Sequence, residues 1–177
     1  RLWHLRVVVD PGQDHEVRPE VREVAHVLEH LNGMFTSDLE PDSQTVVRDL
    51  AMRGAQSNAS VTDDLSTYWV TCRSQDASRL ARTVLRSVGA RFRLDETIFK
   101  HEIEAVRNEL RAMLSGDPVY PMQLARRRAW FGKRHPRATS LQQQLDNLDG
   151  ITPDSVREYR ERHYRAGATL VVVAGDF

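Results

Sequence analysis

The sequence predicts an α+β domain in which a mixed or antiparallel β-sheet is covered by helices. Short segments rich in β-branched residues lie near both ends of the chain, and a third strand-like region lies between them. Segments with apolar residues at three- and four-residue steps separate and follow these strands. A chain of 177 residues is long enough for one domain with a substantial core, so we predict a single module over residues 1–177.

The first third of the chain predicts one strand and two helices. The segment "LRVVVD" (5–10) predicts a strand, because it is rich in valine and is followed by the chain breakers Pro11 and Gly12. A helix is predicted over 18–33, where apolar residues recur at helical spacing and a proline lies in the first turn. Residues 43–54 predict a second, shorter helix that ends at a glycine.

The middle of the chain predicts a hairpin and two helices. Residues 55–73 alternate loosely and contain "TYWVT", which favours two strands joined by a turn near Asp63 and Asp64. Helices are predicted over 76–89 and 95–116, each with an aspartate at its start to cap the free backbone N–H groups. The second of these is the longest predicted helix of the chain.

The last third predicts three shorter helices and a final strand. The helices are expected around 121–131, around 140–148 and from Pro153 to about His163. The segment "ATLVVVAGD" (168–176) is almost uniformly apolar, which predicts a buried strand.

Composition argues against several classes of function. The 25 basic and 25 acidic residues cancel, so we expect no nucleic-acid partner and no binding to an anionic membrane surface. No apolar run approaches the roughly 20 residues that span a bilayer. The single cysteine, Cys72, cannot form an internal disulfide and is typical of a small core residue. Few cysteines and the lack of a recognisable secretion signal are compatible with a bacterial cytoplasm but leave the compartment open.

The segment "AHVLEHLNGM" (25–34) contains the first candidate site. Residues three and four apart share a helix face, so His26 and His30 project together, with Glu29 beside them. Two imidazoles one turn apart can both reach a zinc ion at about 2.0–2.1 Å. Glu29 can then stay out of contact with the metal and accept a proton from a zinc-bound water. The order H-x-x-E-H is a known zinc motif.

The same three residues also have an ordinary structural interpretation. In a chain with seven histidines, H-x-x-E-H arises by chance in roughly one or two sequences in a hundred of this composition. Two histidines on one helix are often solvated or hydrogen-bonded to the backbone. The motif alone leaves both interpretations open.

The long predicted helix contains a second set of candidate residues. At roughly 100° per residue, Glu102 and Glu109 lie on nearly the same face among apolar residues, whereas Glu104 points away and is predicted to be exposed. Carboxylates in such surroundings are costly unless a cation accompanies them. That cation is either a metal ion or an arginine such as Arg107 or Arg111.

Together these motifs resemble the inverzincin peptidases, the family of insulinase, pitrilysin and the mitochondrial processing peptidase (M16). The family signature is H-x-x-E-H followed by two glutamates, seven residues apart, on a later helix. Here Glu109 follows His30 by 79 residues and Glu102 by seven. Other segments that follow the family order are "NASVTDDLSTYWV", "FKHEIEAVRNEL", "KRHP", "LDNLDGITPDSVREYRERHY" and "ATLVVVAGDF". The resemblance therefore covers nearly the whole chain and implies the fold shared by processing peptidases and S-ribosylhomocysteine lyase.

The resemblance implies a zinc metallopeptidase and a role for each candidate residue. His26, His30 and Glu109 would bind Zn²⁺, and Glu29 would be the general base. Glu102 would support the site by orienting a metal ligand or the attacking water.

The resemblance also implies how a peptide substrate binds. An edge strand around Ser57, Asn58 and Ala59 would pair with an extended peptide by β-augmentation. His101 is adjacent to Glu102 but points about 100° away on a helix, so it is not predicted to belong to the site.

Family peptidases usually join two such modules into a closed chamber. We therefore expect this chain to be one half of a two-module clamshell, whose second module lies in the same polypeptide, a heterodimer or a homodimer. One departure from the family is Glu23, three residues before His26, where a glycine is usual.

Two alternative functions remain open. One is a non-catalytic scaffold or partner subunit, although such relatives usually lose the histidines or the glutamate that this chain retains. The other is an S-ribosylhomocysteine lyase, which uses a cysteine as third metal ligand, a role for which Cys72 is the only candidate.

Overall fold

The computed structural model describes residues 1–10, 12–13, 22–33, 43–89 and 94–175. Within these ranges the strands are Leu2–Val9 (β1), Gln56–Val61 (β2), Ser66–Arg73 (β3) and Thr169–Gly175 (β4). The α-helices are Val24–Gly33 (α1), Ser43–Met52 (α2), Ala77–Gly89 (α3), Glu96–Gly116 (α4), Tyr120–Phe131 (α5), Leu141–Asn147 (α6) and Pro153–His163 (α7).

The four strands form one antiparallel sheet in the order β2-β3-β1-β4. Side chains alternate across β1, so that Trp3, Leu5, Val7 and Val9 are buried on one face. β2 and β3 form the predicted hairpin, whose turn is closed by the Thr62 N–H donating to the Leu65 carbonyl. The predicted α+β class, with an antiparallel sheet covered by helices, is confirmed.

The buried apolar residues form two clusters. The first cluster lies between the sheet and α2 and α3, and includes Leu5, Tyr68 and Leu80. The second lies among α1, α4, α6 and α7, and includes Leu28 and Val106. α1 contacts β2, α4 and α7, so it connects the sheet to the helical layer. Polar residues of α1 that lie beside these contacts are therefore held between well-packed elements.

Helix boundaries agree with the sequence at most positions and differ at one that matters for the site. Asp95 caps α4 as predicted, since its carboxylate accepts hydrogen bonds from the backbone N–H groups of Thr97 and Ile98. α1 begins at Val24, whereas the sequence predicts a helix from residue 18; residues 14–21 lie outside the described residues. Glu23 has a φ of +82°, which no residue inside a right-handed helix can adopt, so the helix begins after it.

The strand β4 differs from its prediction. Its apolar run predicts burial, yet Leu170 is 61% exposed and Val171, Val172 and Val173 are all exposed. β4 is an edge strand that pairs with β1 alone in the described part of the chain, and no described helix covers it. The prediction that this strand is buried is wrong for the described part of the chain. An apolar run favours burial, but it does not show what covers the strand.

None of the helices in the described ranges is both long and apolar enough to cross a membrane.

Candidate metal centre

The candidate site is formed where α1 packs against α4. Val27, Leu28 and Leu31 of α1 are buried in the same cluster as Val106 and Leu110 of α4. This apolar contact fixes the rotation of both helices about their axes. The polar residues that flank the apolar stripe of α1 therefore face the acidic edge of α4.

His26, His30 and Glu109 meet at this contact. One potential ligand atom from each residue lies within 4.8 Å of the other two. The Glu109 Oε2 atom is 3.7 Å from the His26 Nε2 atom and 3.4 Å from the His30 Nε2 atom. Two ligands of a tetrahedral zinc ion, each about 2.1 Å from the metal, lie about 3.4 Å apart. The donor set and its spacing therefore fit a zinc ion.

The other ring nitrogen of each histidine contacts a buried carboxylate. The His26 Nδ1 atom is 3.1 Å from Glu23, and the His30 Nδ1 atom is 3.2 Å from Glu102. A carboxylate that accepts the Nδ1–H proton fixes the orientation of an imidazole and leaves its Nε2 atom free to bind a metal. Both Nε2 atoms here face Glu109.

Glu102 makes one contact that the sequence does not predict. His101 is not expected in the site, yet its Nδ1 atom lies 3.0 Å from the Glu102 Oε1 atom. Consecutive helix residues diverge by about 100°, but the imidazole is long enough to reach back to its neighbour's carboxylate. Glu102 is thus buried between two histidine rings, one from each helix.

Two other charged residues of α4 make contacts away from the centre. Glu104 is exposed as predicted and pairs with Arg107, which also contacts Asp149. Arg107 is therefore engaged away from Glu102 and Glu109. The cationic partners observed for those two carboxylates are imidazoles.

Glu23 is a site residue that sequence reasoning missed. It is 2% exposed and lies in the left-handed region of φ, which costs a residue other than glycine about 1–2 kcal/mol. That backbone conformation accounts for the glycine usual at this position in the family. The i, i+3 spacing to His26 was the available signal, but the contact requires a turn that the sequence does not reveal.

The electrostatics of the cluster favour a cation at its centre. Burial lowers the pKa of His26, but the carboxylates of Glu109 and Glu23 outweigh it and raise the pKa to about 10. Contact with His26 in turn lowers the pKa of Glu109, and contact with His30 lowers the pKa of Glu102. Without a metal, an imidazolium supplies the positive charge that these carboxylates require.

Glu29 lies between the two histidines on α1 and has a different environment. Burial raises the pKa of its carboxyl group, although the nearby rings of His30 and His26 oppose that rise. Glu29 lines a cleft of about 860 Å³ that also reaches His26, His30 and Glu109. A carboxyl group with a raised pKa beside such a cleft is suited to accept and return a proton.

The edge of the sheet forms one wall of the same cleft. Ser57, Asn58 and Ala59 of β2 line it, and β2 pairs with β3 alone in the described part of the chain. Hydrogen-bonded and non-hydrogen-bonded pairs alternate in an antiparallel ladder, and the Thr62–Leu65 pair is hydrogen-bonded. When this alternation is followed back along β2, Ser57 and Ala59 fall at non-hydrogen-bonded pairs, so their backbone N–H and C=O groups point away from β3.

A local contact agrees with that register. The Ala59 N–H donates to the side-chain oxygen of Asn58 at 2.9 Å and so is directed away from β3. This edge therefore presents backbone donors and acceptors towards the cleft, within the same surface that holds Glu29.

Cys72 lies elsewhere. It is buried in the cluster between the sheet and α3, and the three-residue group that can hold a metal does not include it. The third ligand that a lyase of the S-ribosylhomocysteine type uses is therefore not supplied by the cysteine of this chain.

Comparison with known proteins identifies the family. The model of the insulinase family of peptidases, peptidase family M16, matches residues 4–134. The chain belongs to the insulinase family of peptidases. A search of curated protein sequences finds no match.

Two solved structures share the fold of nearly the whole chain. A protease from Helicobacter pylori superposes with a TM-score of 0.83 at 22% identity and covers 99% of this chain. Pitrilysin superposes with a TM-score of 0.81 at 20% identity and covers 97% of it. This chain spans 41% of the length of the first and 18% of the second.

The two carboxylates that contact His26 raise the pKa of its imidazole, and this rise can be measured. In protein stripped of metal, we expect His26 to keep its proton up to a pH of about 10, as followed by NMR of the imidazole C–H signals. Glu109→Gln should lower this pKa, because it removes one negative charge and leaves the burial that opposes protonation. Glu104→Gln, the same change at an exposed position of α4, should not alter it. An unperturbed His26 pKa, or one unaffected by Glu109→Gln, would contradict the arrangement.

Proposed function

We propose that this chain is the metal-binding module of a zinc-dependent peptidase. The observation that carries the proposal is the convergence of His26, His30 and Glu109, in which the Glu109 Oε2 atom lies 3.7 and 3.4 Å from the two Nε2 atoms, close to the separation of two ligands of a tetrahedral zinc ion. Membership of a peptidase family supports hydrolysis of peptide bonds as the reaction.

Zinc bound by these residues would polarise the scissile carbonyl and lower the pKa of water towards 7. Glu29 has the position and the raised pKa to take the proton of the attacking water. It then delivers that proton to the leaving amine nitrogen, so one carboxyl group acts first as base and then as acid.

Glu102 acts through His30. It is almost fully buried, its pKa is lowered, and it holds the Nδ1 atom of His30. As a permanent carboxylate it keeps the His30 ring in the orientation that directs Nε2 towards Glu109. Its role is to position a metal ligand and not to contact the substrate.

The substrate is an extended peptide that adds a strand to the sheet. The outward backbone groups of Ser57 and Ala59 pair with the peptide, and Asn58 releases the Ala59 N–H when the peptide binds. Main-chain pairing is independent of sequence, so this edge would position many peptides beside Glu29.

Residues 1–177 form one module of a larger two-module peptidase. The two solved structures compared above are each more than twice as long as this chain. The apolar β4 and the helix α5, in which no residue is buried, are surfaces that further polypeptide would cover. The second module belongs to the same polypeptide or to a partner chain of the same family.

Replacing the general base should separate metal binding from catalysis. Glu29→Gln should retain zinc, because Glu29 is not one of the proposed ligands, and should lower kcat by about 10²–10⁴-fold. The measurement is hydrolysis of a fluorogenic peptide by zinc-loaded protein, together with its zinc content. Glu104→Gln, at an exposed position of α4, is the control and should cleave normally.

Peptide cleavage that survives Glu29→Gln undiminished would refute this mechanism. Zinc binding without cleavage by the unchanged protein, even with its second module present, would instead favour the scaffold subunit.

Removing one backbone donor should test the substrate edge. Ala59→Pro should raise KM several-fold with little effect on kcat, because it removes a main-chain hydrogen bond that the ground and transition states share. The sheet should tolerate proline there, since the Ala59 N–H points away from β3.

Ser60→Pro is the matched comparison, because the register places the Ser60 N–H in the ladder with β3. Thermal unfolding should show a lower Tm for Ser60→Pro than for Ala59→Pro. An unchanged KM in a correctly folded Ala59→Pro variant would exclude pairing at this edge.

A further inference from the structure

Glu23 combines three features that a surface turn residue rarely has together. Its φ of +82° lies in the left-handed region, which favours glycine. Its side chain is directed inward and is 3% exposed. Its carboxylate contacts the Nδ1 atom of His26 at 3.1 Å. A strained backbone persists where the surrounding structure holds it, and such residues cluster at functional sites.

We propose that Glu23 is a positioning residue that orients the His26 ring and thereby strengthens metal binding. The proposal rests on the proposed function, because it concerns the ligand set of the same zinc site. It assigns to His26 a dedicated carboxylate, as Glu102 is the dedicated carboxylate of His30.

The backbone around Glu23 explains how the side chain reaches the ring. The Glu23 carbonyl accepts the hydrogen bond from Val27 N–H that opens α1, so Glu23 is locked to the first turn of this helix. His26 follows one turn later on the same side. The positive φ turns the side chain back over that turn, where the His26 Nδ1 atom lies.

Gln13 also contacts the carboxylate of Glu23. Its side-chain N–H donates to the same Glu23 oxygen at 3.3 Å, and its backbone N–H donates to the Thr62 carbonyl at 3.0 Å. The neighbouring Gly12 lies so close to the hairpin turn that an added Cβ would be 2.3 Å from Thr62 O. Glu23 is therefore held by a segment that is itself anchored to the hairpin that contains β2.

The two orienting carboxylates belong to different parts of the fold. Glu102 reaches His30 from α4, whereas Glu23 directly precedes α1, the helix that contains His26. Loss of Glu23 should therefore affect His26 and leave the contact between His30 and Glu102 in place. This separation makes the role of Glu23 measurable.

Zinc affinity of Glu23 variants is the first test. Competition with a chromophoric chelator measures the zinc dissociation constant of the full chain. Glu23→Gly should weaken zinc binding by about 10–100-fold, the usual effect of removing a partner that orients a metal ligand. Glu23→Gln keeps an oxygen that can accept the Nδ1–H proton, so its loss should be smaller. Glu104→Gln is the control at an exposed position of α4.

Two further measurements distinguish positioning from a general structural role. Glycine relieves the strain of the observed φ but removes the contact of Glu23 with protonated His26, so metal-free Glu23→Gly should still unfold in one cooperative transition, at a Tm close to that of the unchanged protein. In the zinc-loaded protein, NMR should show that the His26 Nδ1–H signal is lost through solvent exchange in Glu23→Gly. The His30 Nδ1–H signal, held by Glu102, should remain as an internal reference.

Equal zinc affinity in Glu23→Gly and the unchanged protein would overturn the role of Glu23 and leave the proposed zinc site intact. A lower affinity accompanied by a markedly lower Tm and loss of both histidine signals would also overturn it, because the effect would then be structural. If the unchanged protein binds no zinc, the proposed function fails first. The proposal is supported if zinc binds most weakly to Glu23→Gly, more tightly to Glu23→Gln and most tightly to the unchanged protein.

Discussion

The packing of α1 against α4 is the contact on which the site depends. Apolar side chains from both helices, among them Leu28 and Val106, exclude water between them and fix the rotation of each helix. That rotation determines which polar residues meet at the edge of the contact. His26, His30 and Glu109 come together because their positions in the sequence place them beside the apolar stripes.

The charge balance follows from the same contact. Several carboxylates and two imidazoles share a small, half-buried volume, in which like charges repel strongly. A divalent cation would replace the proton that His26 holds because of its raised pKa, and would compensate the charge of Glu109 at the same time. The buried carboxylates Glu23 and Glu102 lie behind the rings, where they oppose rotation of the ligands away from the centre.

Spacing along the chain predicts most of the elements and the shared face of His26 and His30, whereas the choice of Glu109 as their partner comes from the resemblance to the insulinase family. Local features can be predicted from sequence. They include the apolar periods of α1 and α4, the cap at Asp95 and the hairpin of β2 and β3. The positive φ of Glu23, the contact of His101 with Glu102 and the exposure of β4 were not predicted. The φ of Glu23 and the exposure of β4 depend on how distant parts of the chain pack, and the contact of His101 with Glu102 depends on side-chain conformation; periodicity encodes neither.

The most direct measurement of the central claim is the zinc content of the purified protein after equilibration with Zn²⁺ and removal of weakly bound metal. The account predicts about one zinc per chain, as expected for a single site with three protein ligands, and loss of that zinc in Glu109→Ala and in His26→Ala. The Glu104→Ala protein should keep it. No tightly bound zinc, or zinc that persists unchanged without Glu109 and without His26, would contradict the account.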